Sequence, residues 1–90
     1  MLERSVRVIN QLGLHARAAA QLVRVAAAFK SSIHLNRPDR GVFANAKSIL
    51  SVLTLAAGIG TELTIVIEGE DEHTAFEAIE NLFKSGFGEM

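Results

Sequence analysis

Cysteine is absent from this chain, proline occurs once, at Pro38, and charge of one sign is not in excess. Without cysteine there is no disulfide framework, no thiolate nucleophile and no zinc–thiolate site. Nine Lys and Arg against ten Asp and Glu leave a formal net charge of −1, with no basic stripe, so nucleic acid is not an expected partner. Long apolar runs are lacking as well, which excludes a membrane-spanning helix and gives no ground for direct membrane binding. The opening Met1-Leu2-Glu3-Arg4 leads into alternating residues, not a basic segment followed by an apolar one, so no signal peptide is expected. A cytoplasmic protein follows as the expectation. What is present is 90 residues, 49% of them hydrophobic, enough for one modest core.

The hydrophobic period changes along the chain. From Glu3 to Ile9, Val6 and Val8 fall on one side and Ser5 and Arg7 on the other, the alternation of a half-buried strand. Gly13 breaks it. From Ala16 to Phe29 the period is helical, with Ala18, Ala19, Leu22, Val23, Val25, Ala26 and Phe29 on a broad apolar face opposite Arg17, Gln21 and Arg24. Ser31 to Asn36 alternates again, with Ile33 and Leu35 inward and His34 outward. Arg37-Pro38-Asp39-Arg40-Gly41 reads as a hairpin turn into Val42 to Ala46. Lys47 to Leu55 fits a short helix, and Thr61 to Glu68 is the clearest strand. A last helix opens in Glu70-Asp71-Glu72, whose charges suit the positive end of its dipole. It buries Ala75, Ile79, Leu82 and Phe83 and stops at Gly86. The order βαββαβα predicts an α+β fold, an antiparallel sheet with helices on one face.

Chemistry concentrates at His15, at the junction between the Gly13 turn and the first helix. A residue there faces the unpaired N–H groups of the first helical turn, and these together with the dipole favour an anion. A neutral imidazole in that place is a nucleophile, and the positive helix end disfavours the imidazolium form. A phosphoryl group carried on the ring would gain charge-assisted bonds from the amides and from Arg17. The competing reading is a helix-capping histidine beside a solvated arginine.

The segment Gly13-Leu14-His15-Ala16-Arg17 resembles the active-site motif of HPr, the histidine-containing phosphocarrier family of the bacterial phosphoenolpyruvate–sugar phosphotransferase system. Ala44-Asn45-Ala46-Lys47-Ser48-Ile49-Leu50 is similar to that family's regulatory serine region, and Gly60-Thr61 with Glu68-Gly69-Glu70-Asp71-Glu72 gives a third, weaker match. The resemblance stays in register along nearly the whole chain. It implies one phosphocarrier domain over residues 1–90 and an open-faced β-sandwich, a four-stranded antiparallel sheet with three helices on one face. Two departures stand out. Ala18 occupies the place where the family usually has Pro, and the hairpin over 37–41 is longer by a residue or two. Ala is a good helix former and restores an N–H at the anion-facing end. Phosphoryl acceptance is therefore expected to survive, with an altered phosphohistidine lifetime.

By this resemblance His15 takes a phosphoryl group from phosphorylated Enzyme I through Nδ1 and passes it to IIA domains of sugar permeases. Arg17 is the charge partner, and the backbone N–H groups of Ala16 and Arg17 are phosphate donors. No metal and no cofactor is implied, and the protein is a monomeric carrier, not a catalyst in its own right. Ser48, at the start of the short helix beside Lys47, is implied as a regulatory phosphorylation site, with HPr kinase/phosphorylase and a transcriptional regulator as further partners. Capping is the plainer role for such a serine. Ile49, Leu50 and Leu53 cannot all face inward on so short a helix and are implied as a docking patch. Two other functions stay open: a nitrogen-regulatory paralogue using the same His15 chemistry, and a binding module acting through phospho-Ser48. A generic interaction domain with an inert His15 is a third. His34 and His73 lack metal-ligand spacing with His15. Phe43 points away from the inner face of its strand.

Overall fold

The computed structural model describes residues 1–89. Its elements are β1 (Leu2–Arg7), α1 (Ala16–Ala26), β2 (Ser32–Arg37), β3 (Val42–Asn45), α2 (Ile49–Leu53), β4 (Glu62–Glu68) and α3 (Glu72–Lys84), followed by a 3-10 turn at Gly86–Gly88. The strands form one antiparallel sheet in the order β1-β4-β2-β3. Every stretch of period-two sequence therefore pairs, with Val6 opposite Leu63 and Leu35 opposite both Ile65 and Ala44.

The alternation decides which face the helices cover. Leu63, Ile65 and Ile67 of β4 are fully buried, as are Ile33 and Leu35 of β2 to within 1%. Ala18, Ala19, Leu22 and Ala26 of α1, Val52 of α2, and Ala75, Ile79 and Phe83 of α3 pack into that core. Each of the larger side chains contributes about 2 kcal/mol by leaving water. The other face carries His34 and Asn45 and is open, and there Phe43 is 71% exposed, in keeping with its outward alternation. This is the expected α+β sandwich with three helices on one side.

The structure differs from the periodicity at several ends. α1 stops at Ala26, three residues before Phe29, because the chain tightens into a turn in which the Ala28 N–H donates to Val25 and the Phe29 N–H to Ala26. α2 is confined to five residues, Ile49–Leu53, with Lys47 and Leu55 outside it. Ser31 stays out of β2: its amide and hydroxyl, with the Lys30 amide, bond the Asp71 carboxylate. The Ser31 hydroxyl, ahead of those amides, pulls the Asp71 carboxyl down to about 2. Leu82 is only half-buried against the core. Arg37 belongs to the strand and not to the turn; it is 8% exposed and donates to the Leu55 and Ala56 carbonyls at 2.8 Å each.

Candidate functional site

The loop leading to α1 is set by one glycine. Gly13 sits at φ +67°, and a Cβ there would come within 2.5 Å of the Ala57 carbonyl oxygen. The chain therefore passes close against residues 57–58, where the Leu14 N–H donates to Ala57 at 2.8 Å and Leu14 is buried. That anchor places His15 at the N-cap of α1 with extended backbone, φ −74° and ψ 179°. Its carbonyl accepts the first helical bond, from the Ala19 N–H at 2.8 Å. The amides of Ala16, Arg17 and Ala18 precede that bond and have no carbonyl one turn back to receive them.

Both ring nitrogens of His15 are engaged. Nδ1 accepts from the Arg17 backbone N–H at 3.3 Å. Nε2 is paired with Glu89 Oε2, the carboxylate lying on the opposite side of the ring. An acceptor at Nδ1 and a carboxylate at Nε2 define one neutral tautomer, with the proton on Nε2 and the lone pair of Nδ1 directed at the helix terminus. The His15 side chain is 25% exposed and that of Glu89 15%. Glu89 is itself held: its Oε1 accepts from Asn10 Nδ2 at 2.9 Å, and the same amide donates to the Gly13 carbonyl at 2.8 Å. The Asn10 bond first, then the His15 bond, hold the Glu89 carboxyl below the usual carboxylate range, with the charge of Arg17 adding to them. A cleft of about 450 Å³ is lined by Gln11, Leu12, Arg17, Gly88 and Glu89.

The sequence brings His15, Ala16 and Arg17 together, and the structure keeps them so. It adds four residues that sequence reasoning missed: Asn10, Gln21, Phe87 and Glu89. Phe87 is 2% exposed and packs edge-to-face on Phe83 with ring centroids 5.1 Å apart, while its carbonyl accepts from Gln21 Nε2 at 3.3 Å. The available signal was Gly86-Phe87-Gly88-Glu89, an apolar residue between two glycines just past a helix stop, followed by an acid.

Ser48 is the N-cap of α2, its hydroxyl accepting from the Ser51 N–H at 3.4 Å. Lys47 does not stand by it: its Nζ donates to the Phe29 carbonyl at 2.8 Å, at the far end of α1. Leu50 is 75% exposed, Ile49 is 39% exposed and Leu53 is half-buried, while Val52 points into the core. His34 and His73 are exposed and apart from His15. Among the described residues no three His, Asp or Glu side chains converge as metal ligands, and no helix is long and apolar enough to cross a membrane.

Comparison with known proteins places these features in a family. A family model described as the PTS HPr component phosphorylation site matches residues 2–85. The phosphocarrier protein HPr of Xylella fastidiosa strain Temecula1 is 49% identical over 89 residues, covering 99% of this chain and 98% of that protein. That of Treponema pallidum is also 49% identical over 89 residues, with 99% of each chain covered. The crystal structure of HPr-C-His from Thermoanaerobacter tengcongensis superposes with a TM-score of 0.93 at 37% identity, covering 100% of this chain and 99% of the other.

Proposed function

The chain belongs to the HPr family of phosphotransferase-system phosphocarriers, and from that premise we propose that His15 is its phosphoryl acceptor. The observation that carries the assignment is the Nδ1 lone pair, aimed at the amides that open α1. A phosphoryl group arriving in line at Nδ1 meets the N–H groups of Ala16 and Arg17 with the Arg17 guanidinium close by. The Arg17 N–H exchanges its bond to Nδ1 for one to a phosphoryl oxygen, and these donors then stabilise the charge on the oxygens. Ala18 adds a third N–H where a Pro would offer none. The donor is phosphorylated Enzyme I and the acceptors are IIA domains, so the protein works as a cytoplasmic, monomeric carrier and not as a catalyst. Positioning and charge balance are all that such transfer asks of it, and the chemistry needs no metal or cofactor.

The test is incubation with phosphoenolpyruvate and Enzyme I, followed by phosphorus NMR. An acid-labile phosphohistidine signal is expected in the wild type and none in His15→Ala; label persisting in that variant would move the acceptor elsewhere.

A second reading concerns Ser48. It stands at the border of an exposed apolar pair, Ile49 and Leu50, which with Leu53 suits docking of Enzyme I and IIA. A phosphate on Ser48 would put about two negative charges into that surface, with Lys47 committed elsewhere. Phosphorylation by HPr kinase/phosphorylase would thus weaken transfer at His15 without touching the ring, and could present the phosphoserine to a transcriptional regulator.

A further inference from the structure

The C-terminal turn ends with a carboxylate on the active ring, outside the span 2–85 that the family model matches. Three successive residues, Gly86, Phe87 and Gly88, have positive φ of 61°, 56° and 75°. For Phe87 this conformation costs about 1–2 kcal/mol. Burial of the ring on Phe83 and the Gln21 bond to its carbonyl offset that cost. A chain held in a strained turn by a buried aromatic is a chain whose next residue is placed. That residue is Glu89, with one oxygen on Asn10 and the other on His15.

We propose that Glu89 is a positioning residue for phosphoryl transfer: it fixes the Nε2–H tautomer of His15 before transfer and retains that proton afterwards. The inference rests on the assignment of His15 as acceptor. In the transfer the N–P bond of a donor phosphohistidine breaks and its electron pair stays on the donor nitrogen. The Nδ1 lone pair of His15 forms the new N–P bond, and no proton leaves His15. The product is an N-phosphorylated ring still protonated at Nε2 and formally positive, next to a carboxylate. When the phosphoryl group moves on, a protonated ring departs as neutral imidazole, whereas a deprotonated one would have to depart as imidazolide. Glu89 therefore keeps the carrier in its transferable form. Among the described residues the acceptor on the Nε2 side is Glu89 from the C-terminal turn, and the charge of Arg17, from α1, acts on that carboxylate. The Glu89 carboxyl, held below the usual range, stays ionised throughout the neutral region.

The experiment compares wild type with Glu89→Gln, which keeps size and the reach to Asn10. Nitrogen NMR of the His15 ring reads the tautomer, and the pH dependence of phosphohistidine hydrolysis reads the retained proton. In wild type the Nε2–H tautomer should dominate, and the fall in hydrolysis rate with rising pH should come late. In Glu89→Gln that fall should move down by about one pH unit or more, as for loss of an adjacent opposite charge. The kcat/KM with phosphorylated Enzyme I should drop roughly ten-fold, the low end of the loss seen when a metal-bound histidine loses its carboxylate partner. Superimposable pH profiles and an unchanged tautomer would overturn the role of Glu89 while leaving His15 as acceptor. No label on His15 in the wild type would instead remove the acceptor assignment, and this inference with it.

Discussion

At the start of α1 the capping side chain is His15, with both ring nitrogens engaged; at the start of α2 it is Ser48, with one 3.4 Å contact to the Ser51 amide. The first helix runs eleven residues and is gripped at its N-terminus, by the Leu14–Ala57 bond and by Glu89. The second runs five and is gripped beyond its C-terminus, where Arg37 donates to Leu55 and Ala56. A cap alone thus does not make a phosphoryl site. The α1 terminus has eleven helical residues behind it, an imidazole held at both nitrogens, and Arg17 in its first turn. The α2 terminus has a hydroxyl on a short helix whose neighbouring lysine is tied elsewhere, which suits modification by a separate enzyme better than spontaneous acceptance.

The sharpest break of this comparison is Phe87→Ala. It should cost about 3 kcal/mol of unfolding free energy in urea denaturation, as for other buried Phe truncations. It should also reproduce the pH-profile shift of Glu89→Gln, because the carboxylate loses its footing. A destabilised Phe87→Ala with a wild-type pH profile would show that Glu89 reaches His15 without the strained turn.

Arg37→Met tests the other grip. It removes the donor from two carbonyls, one of them buried, at an expected cost of about 2 kcal/mol. Phosphoryl uptake by the folded protein should fall less than in Glu89→Gln, since Arg37 holds the chain behind α2 and makes no contact with the ring. Single-turnover uptake with phosphorylated Enzyme I, read beside the urea midpoint, separates the two effects; an uptake loss as deep as that of Glu89→Gln would make the two grips one mechanical unit.

What could be read from sequence follows the range of the interactions. Sheet, helices and order were legible because alternation and helical period are local, and Leu63, Ile65 and Ile67 are buried as their spacing requires. His15 and Arg17 were legible because the nucleophile, the amides and the cation are neighbours along the chain. Glu89 was not, lying 74 residues from His15 with only tertiary packing to bring it back. Arg37 falls in the hairpin turn by sequence, and the carbonyls that draw it inward lie 18 and 19 residues on. Lys47 was placed beside Ser48 by adjacency, but its long side chain reaches Phe29 instead. The end of α1 was overrun because its apolar face continues to Phe29 after the hydrogen bonds have shortened.

The smallest effect is expected at Ser48, and it is the one that separates capping from regulation. Ser48→Ala should cost about 0.5 kcal/mol, the low end for an N-cap, because the bond it removes is long and the helix short. Ser48→Asp keeps an N-cap acceptor, so its stability should stay within a few tenths of a kcal/mol of wild type. The new charge, however, lies against Ile49 and Leu50. If that pair docks Enzyme I, Ser48→Asp should raise the KM for phosphorylated Enzyme I with little change in kcat, and Ser48→Ala should leave both near wild type. A KM that is the same in all three proteins would leave Ser48 a helix cap and move the docking surface away from α2, toward the exposed Leu12 and the cleft it lines with Arg17 and Glu89.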